Sequence, residues 1–326
     1  MKTVTLEEHF VTQSFLKATR NPAKPIPAPM AALEPKLLDI GAGRIADMDA
    51  AGIDLQVLSL ASMGLDELST QGASALVKDV NDELADAVLA HPGRLAGFAA
   101  LALKDPTGAA AELERCVERL GFAGALVDGT TDGLFLDDPR FLPVFEAADH
   151  LGVPIYLHPA PPPKSVREAY YFGLPELVGF ALSIAGWGWH AETGLHTLRL
   201  ICSGLFDRFP RLQMIIGHMG EGLPYALARS SAVMSRASQL RHPVAEYFQT
   251  NIHVTTSGYF SKPPLQCAID VIGIDRLLFS IDYPFSPTAN GRAYIDALAN
   301  TLAPDDLAKL AHGNAGRLLG LDTRSS

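Results

Sequence analysis

The sequence predicts an α/β protein, a (β/α)8 TIM barrel with loop insertions at its C-terminal face, built as one domain over residues 1–326. Three observations predict it. Eight short, near-continuous apolar runs recur, as expected for strands of a parallel sheet buried on both faces. Most are followed by a segment with the pattern of an amphipathic helix. The 326 residues hold these units without a long linker or a low-complexity tail, which points to a closed barrel. A doubly wound open sheet is the runner-up, but no GxGxxG follows the first run.

In chain order the strand candidates are Val4–Leu6, Leu55–Leu60, Leu95–Leu101, Ala123–Val127, Pro154–Leu157, Gln213–Ile216, Ile252–Thr256 and Leu277–Ile281. Helices are expected over Ala73–His91, Gly108–Leu120, Asp138–Leu151, Thr193–Phe206 and Pro263–Val271. The proline-dense Asn21–Pro35 is expected to be an extended loop at the top face, either part of a lid or a plain connection. A second irregular stretch, Pro159–Gly188, carries PAPPPK and GWGW.

The chain is 48% hydrophobic and 19% charged, ordinary for a globular protein with a substantial core. A net charge of −10 argues against a nucleic-acid partner, since phosphate binding needs concentrated Lys and Arg. An anionic small substrate remains compatible, because one Arg or one metal ion reverses the field locally. Cys116, Cys202 and Cys267 are odd in number, widely spaced and lack a CxxC pair, so reduced thiols in a cytoplasmic protein are expected. The N-terminus enters a strand pattern directly, unlike a signal peptide. No uncharged apolar run approaches the ~20 residues that span a bilayer.

Side chains at the C-terminal ends of barrel strands converge on one mouth, where active sites lie. The ends here carry Glu7-Glu8-His9, His158, His218 and Asp282. Residues two apart on a strand share a face, so Glu7 and His9 point together into the mouth while Glu8 points away. Two imidazoles with two carboxylates suit Zn²⁺ or Mn²⁺ better than copper or Ca²⁺. His190 is placed to reach the pocket. Glu192 and His196, four apart on a helix, read as an ordinary side-chain pair, although that spacing also suits a metal. His253, in the seventh run, is expected to face inward as a polar core group. No GxSxG elbow, P-loop or Cys–His nucleophile pattern occurs, which disfavours covalent catalysis.

The motifs LEEHF, RCVERLGFAGALVDG, YLHP, LRLICSGLFDRFPRL, IIGHMGEGLPY, TTSGYF and LLFSIDYPF resemble the amidohydrolase superfamily. Within it, the chain is similar to the metal-dependent decarboxylase branch that contains the γ-resorcylate and 2,3-dihydroxybenzoate decarboxylases. The likeness runs from Leu6 to Leu321. It implies one divalent metal ion, Zn²⁺ or Mn²⁺, held by Glu7, His9, His158 and Asp282. It also implies a catalytic His218 with its acidic partner Glu221, and Arg229 in the active-site network. The branch has Glu-x-His where other amidohydrolases carry HxH, and Ala123–Asp128 holds no Lys to bridge two metals.

The implied reaction is non-oxidative decarboxylation of a small hydroxylated aromatic acid to CO₂ and a phenol, with Asp282 as proton donor. The alternative is metal-dependent hydrolysis of a lactone or related ester, which the same strand-end residues would serve. Phe10, Tyr283 and Phe285, with Trp187 or Trp189, are candidates to sandwich the substrate ring, or else packing residues. Tyr283 stands where the resorcylate enzymes carry Trp, so the particular acid stays open. The resemblance suggests a homodimer or homotetramer.

Overall fold

The computed structural model describes residues 1–21 and 28–321. Eight parallel strand positions follow one another around a barrel. They are β1 (Val4–Phe10), β2 (Leu55–Leu60), β3 (Leu95–Gly97, resuming after Phe98 as Ala99–Ala100), β4 (Ala125–Asp128), β5 (Ile155–His158), β6 (Met214–Ile216), β7 (Ile252–Thr255) and β8 (Leu277–Leu278). Each pairs with the next. A parallel bridge between Leu6 and Ser280 joins the last strand position to the first.

Period-two alternation divides the strand side chains into two layers. Val57, Phe98, Leu126, Tyr156, Ile215 and Leu278 pack into the barrel interior. Their neighbours Leu58, Val127, Leu157, Ile216 and Phe279 pack outward against the helices. Ala315 and Leu319, on the C-terminal helix Asn314–Leu319, join the interior group.

β1 breaks this alternation, and the break builds the site. Between Thr5 and Glu8 its register slips against β2, and Glu7 has a φ of 59°. This is a β-bulge, which re-aims the side chains beyond it. Val4 and Leu6 face the interior, so strict alternation would add Glu8 and Phe10 to that face. The extra residue shifts the phase, and Glu7 and His9 turn inward instead.

Three helical stretches differ from expectation. Asn21–Pro35 is not an extended loop throughout: residues 22–27 lie outside the described residues, and Ala28–Leu38 is a helix with Pro35 inside it. Its Ala, Leu, Glu and Lys are good helix formers and outweigh one lost N–H. Pro159–Gly188 contains the helices Lys164–Tyr170 and Glu176–Ser183. Thr193–Phe206 is two helices, Gly188–Cys202 and Leu205–Arg208, separated at Gly204, whose φ of 80° no right-handed helix allows.

Candidate metal centre

The C-terminal ends of β1, β5 and β8 bring Glu7, His9, His158 and Asp282 together. Glu7 Oε1 lies 3.4 Å from His158 Nε2, and His9 Nε2 lies 3.4 Å from Asp282 Oδ1. Donor atoms of Glu7, His9 and His158 all fall within 4.8 Å of one another, with Asp282 at the edge of the group. Two donors about 2.1 Å from one tetrahedral ion stand about 3.4 Å apart, so these separations fit a shared cation.

Hydrogen bonding supports the fit. Glu7 Oε1 and His9 Nε2 are buried and have no hydrogen-bond partner among the described residues. Buried polar atoms normally have partners. Burial first, and the nearby His158 second, push the His9 pKa down to about 3. Burial thus disfavours the charged form of His9, in keeping with the neutral imidazole that a metal ion requires.

Supporting groups hold the donors in place. His158 Nδ1 bonds Asp128 Oδ1 at 2.9 Å, which turns Nε2 toward Glu7. Burial opposes protonation of His158, but Asp128 outweighs it and raises the pKa. Glu7 Oε2 accepts hydrogen bonds from the Tyr156 hydroxyl and Ser257 Oγ. Thr255 Oγ1 joins both hydroxyls, at 2.8 Å to Tyr156 and 2.7 Å to Ser257. A Cβ on Gly217 would stand 3.1 Å from Glu7 Oε2 and 3.2 Å from the Tyr156 hydroxyl, so glycine there leaves room for the carboxylate and the hydroxyl.

After β6 the chain turns sharply through His218, Met219 and Glu221, all with positive φ. Strained backbone of this kind gathers at functional sites. His218 Nδ1 bonds Glu221 Oε1 at 2.8 Å, leaving Nε2 facing Asp282 Oδ2 at 4.0 Å and Glu7 Oε1 at 3.9 Å. Burial alone would lower the His218 pKa, but Glu221 and Glu7 raise it to about 10. Burial raises the Asp282 pKa to about 6, against the lowering pull of His218.

The chain matches the Amidohydrolase family over residues 32–321. It belongs to the amidohydrolase family. A γ-resorcylate decarboxylase from Rhizobium radiobacter is 40% identical, across 98% of this chain and 99% of its own. A solved 2,6-dihydroxybenzoate decarboxylase, complexed with 2,6-dihydroxybenzoate, superposes with a TM-score of 0.89. It is 38% identical over 99% of each chain. A dihydroxybenzoic acid decarboxylase from Polaromonas sp. JS666, with bound manganese and the inhibitor 2-nitroresorcinol, gives a TM-score of 0.89. Its identity is 36%, over 99% of this chain and 98% of that one.

This amidohydrolase places some sequence-predicted residues elsewhere. Phe10 is buried in the layer between strands and helices rather than at the mouth, because the bulge that turns His9 inward turns Phe10 outward. The Tyr283 ring is also buried away from the mouth and packs under the Arg44 guanidinium at 4.5 Å. Arg229 is exposed on the helix Leu223–Ala237, and among the described residues it makes no hydrogen bond or ion pair to the His218–Glu221 pair. His190 does reach the site: its Nδ1 bonds Glu221 Oε2 at 2.6 Å. Its Nε2 meets the Trp189 indole N–H at 3.2 Å and Ala185 O at 3.1 Å, so protein groups engage both nitrogens.

Phe285 lines the mouth, its ring 5.5 Å from that of His9. Tyr259, absent from the sequence-based set, has its ring 6.0 Å from that of His218. Asp128 was missed as well, although it ends β4 and pairs in register with His158; the strand-end rule applied to β4 would have found it. His196 accepts a hydrogen bond from Leu136 N at 2.8 Å, a structural role. His253 Nε2 meets Gln213 and Arg276, in keeping with a polar core group.

Proposed function

We propose that this chain is a metal-dependent, non-oxidative decarboxylase of a dihydroxybenzoate or similar hydroxylated aromatic acid, releasing CO₂ and a phenol. The double exposure of Asp282 carries the reading. One oxygen faces the ligand group through His9 and the other faces His218, so a single carboxyl serves both the metal rim and the proton-handling pair. Relatives named for decarboxylation of hydroxylated benzoates support the choice over lactone hydrolysis.

Glu7, His9, His158 and Asp282 would hold one Zn²⁺ or Mn²⁺, and manganese in the Polaromonas relative favours the second. The ion would supply Lewis-acid polarisation to the substrate carboxylate and its ortho hydroxyl. Asp282, its pKa raised by burial, donates its proton to the ring carbon bearing the carboxylate. The carbon–carbon bond to the carboxylate then breaks, its electron pair returns to the ring, and CO₂ leaves. Asp282 regains its proton from solvent. His218, kept protonated by Glu221, donates from Nε2 to the phenolic oxygen. His190 orients Glu221, and Phe285 and Tyr259 flank the planar ring.

The same reading takes residues 1–326 as one domain in a cytoplasmic enzyme, which its free cysteines suit. Among the described residues, no helix is long and apolar enough to cross a membrane. It also takes the chain as a homodimer or homotetramer. Tyr170, Phe172, Leu177, Val178, Phe180 and Trp187 are exposed within one short stretch, a concentration of apolar side chains suited to a second copy. Incubation with 2,6-dihydroxybenzoate should release CO₂ and resorcinol in equal amounts. Hydrolysis of a lactone without release of CO₂ from any hydroxybenzoate would overturn the assignment.

A further inference from the structure

Glu8, between the two inward-facing residues of β1, is wholly buried. Its Oε1 accepts from Ile281 N at 3.0 Å and its Oε2 from Tyr283 N at 3.1 Å. These are the peptide N–H groups on either side of Asp282. His9 N donates to Tyr283 O at 2.7 Å, closing the stitch from the other direction. The equally buried Arg44 donates from Nη2 to His9 O at 2.6 Å and lays its guanidinium over the Tyr283 ring. Around this point Leu6 and Ser280 form a single isolated bridge between β1 and the end of β8. Asp282 itself has a φ of 68°, a conformation that costs a non-glycine residue and needs support from its surroundings.

We infer that Glu8 and Arg44 form a clamp behind the metal site that holds the backbones of His9 and Asp282 at the spacing their side chains need to share one ion. The inference rests on the proposed ligand set. Glu8 is a positioning residue, because it acts on Asp282 through the two flanking amides. A carboxylate suits this place because both oxygens must accept. An amide would turn an N–H₂ group toward one of the two peptide donors and lose that bond. Arg44 ties the clamp to Gln56 on β2, 3.3 Å from its Nη1.

The test is Mn²⁺ affinity of the full chain, measured by competition with a chelator after metal removal, on wild type, Glu8→Gln and Glu112→Gln. Glu112 is a similarly buried carboxylate bonded to Asn81 and Arg115, away from the mouth. Glu8→Gln should weaken Mn²⁺ binding by about 10- to 100-fold, while Glu112→Gln should leave it within about two-fold. Thermal unfolding of the metal-free forms separates loss of stability from loss of affinity. If Glu8→Gln does not fold, Glu8→Asp keeps the carboxyl group but is one methylene too short to reach both amides, and should weaken binding several-fold. A folded Glu8 variant that binds Mn²⁺ as wild type does would overturn the clamp and leave the ligand set intact. Wild type that binds no Mn²⁺ would overturn the ligand set itself, and the clamp with it.

Discussion

Two buried carboxylates in this fold are treated in opposite ways. Glu112, on the helix Pro106–Leu120, meets Asn81 Nδ2 at 2.8 Å, Arg115 Nε at 2.9 Å and Nη2 at 2.8 Å, and Cys116 Sγ at 3.3 Å. Burial pushes its pKa up, but Arg115 and Asn81 outweigh burial and hold it below the usual carboxylate range. Glu7, at the rim, has one oxygen crowded by hydroxyls and the other facing two imidazoles without a hydrogen bond. A carboxylate saturated by protein donors joins helix to helix. One with a buried lone pair turned toward histidines leaves that lone pair for a cation, and its surroundings give up some stability for function.

The contrast breaks most sharply at Asp282. Asp282→Asn should lower kcat by about 10²- to 10⁴-fold while far-ultraviolet circular dichroism stays that of the wild type. Appreciable turnover by the folded variant would remove Asp282 as the proton donor. Metal removal should come next: a chelated protein should lose turnover and regain it on adding about one equivalent of Mn²⁺. Activity that survives complete removal would show that the bare Glu7 oxygen serves some other purpose.

A milder change probes the mouth rather than the donors. Phe285→Ala should raise KM by about five-fold, from the loss of roughly 1 kcal/mol of ring contact. A fall in kcat with KM unmoved would mean that the ring does not wall the substrate. The smallest effect on turnover belongs to the saturated carboxylate. Glu112→Gln should leave kcat unchanged yet cost about 1–3 kcal/mol in urea unfolding.

The pH dependence of that loss has a definite sign. The folded pKa of Glu112 lies below its unfolded value. Its ionised form therefore stabilises the protein at neutral pH, and this contribution is lost as pH falls through the lower, folded value. Wild type and Glu112→Gln should converge in stability in acid. A gap that stays constant down to that range would show that the charge of Glu112 contributes nothing.

Much of the rim was legible because a parallel barrel sends strand ends to one place. Given eight apolar runs, the polar residues that close them are candidates, and Glu7, His9, His158, His218 and Asp282 met at the mouth on that rule. Phe10 and Tyr283 were misplaced for the opposite reason. A neighbour of a ligand along a strand faces the other way, and chain proximity says nothing about that direction. Glu8, set aside as pointing away, does point away from the mouth, yet its two oxygens grip the amides around Asp282.

Composition and periodicity were enough to establish the barrel, its strand order and the chemical types gathered at its rim, because burial on both faces leaves a pattern that local sequence carries. The phase of β1 and the pairing of His158 with Asp128 came from contacts between distant segments. A bulge is one inserted residue in a run of ordinary ones, and nothing in VTLEEHF marks where it sits. Its position follows from how β1 must register against β2 and meet Ser280 across the closing seam, and those constraints exist once the chain has closed on itself.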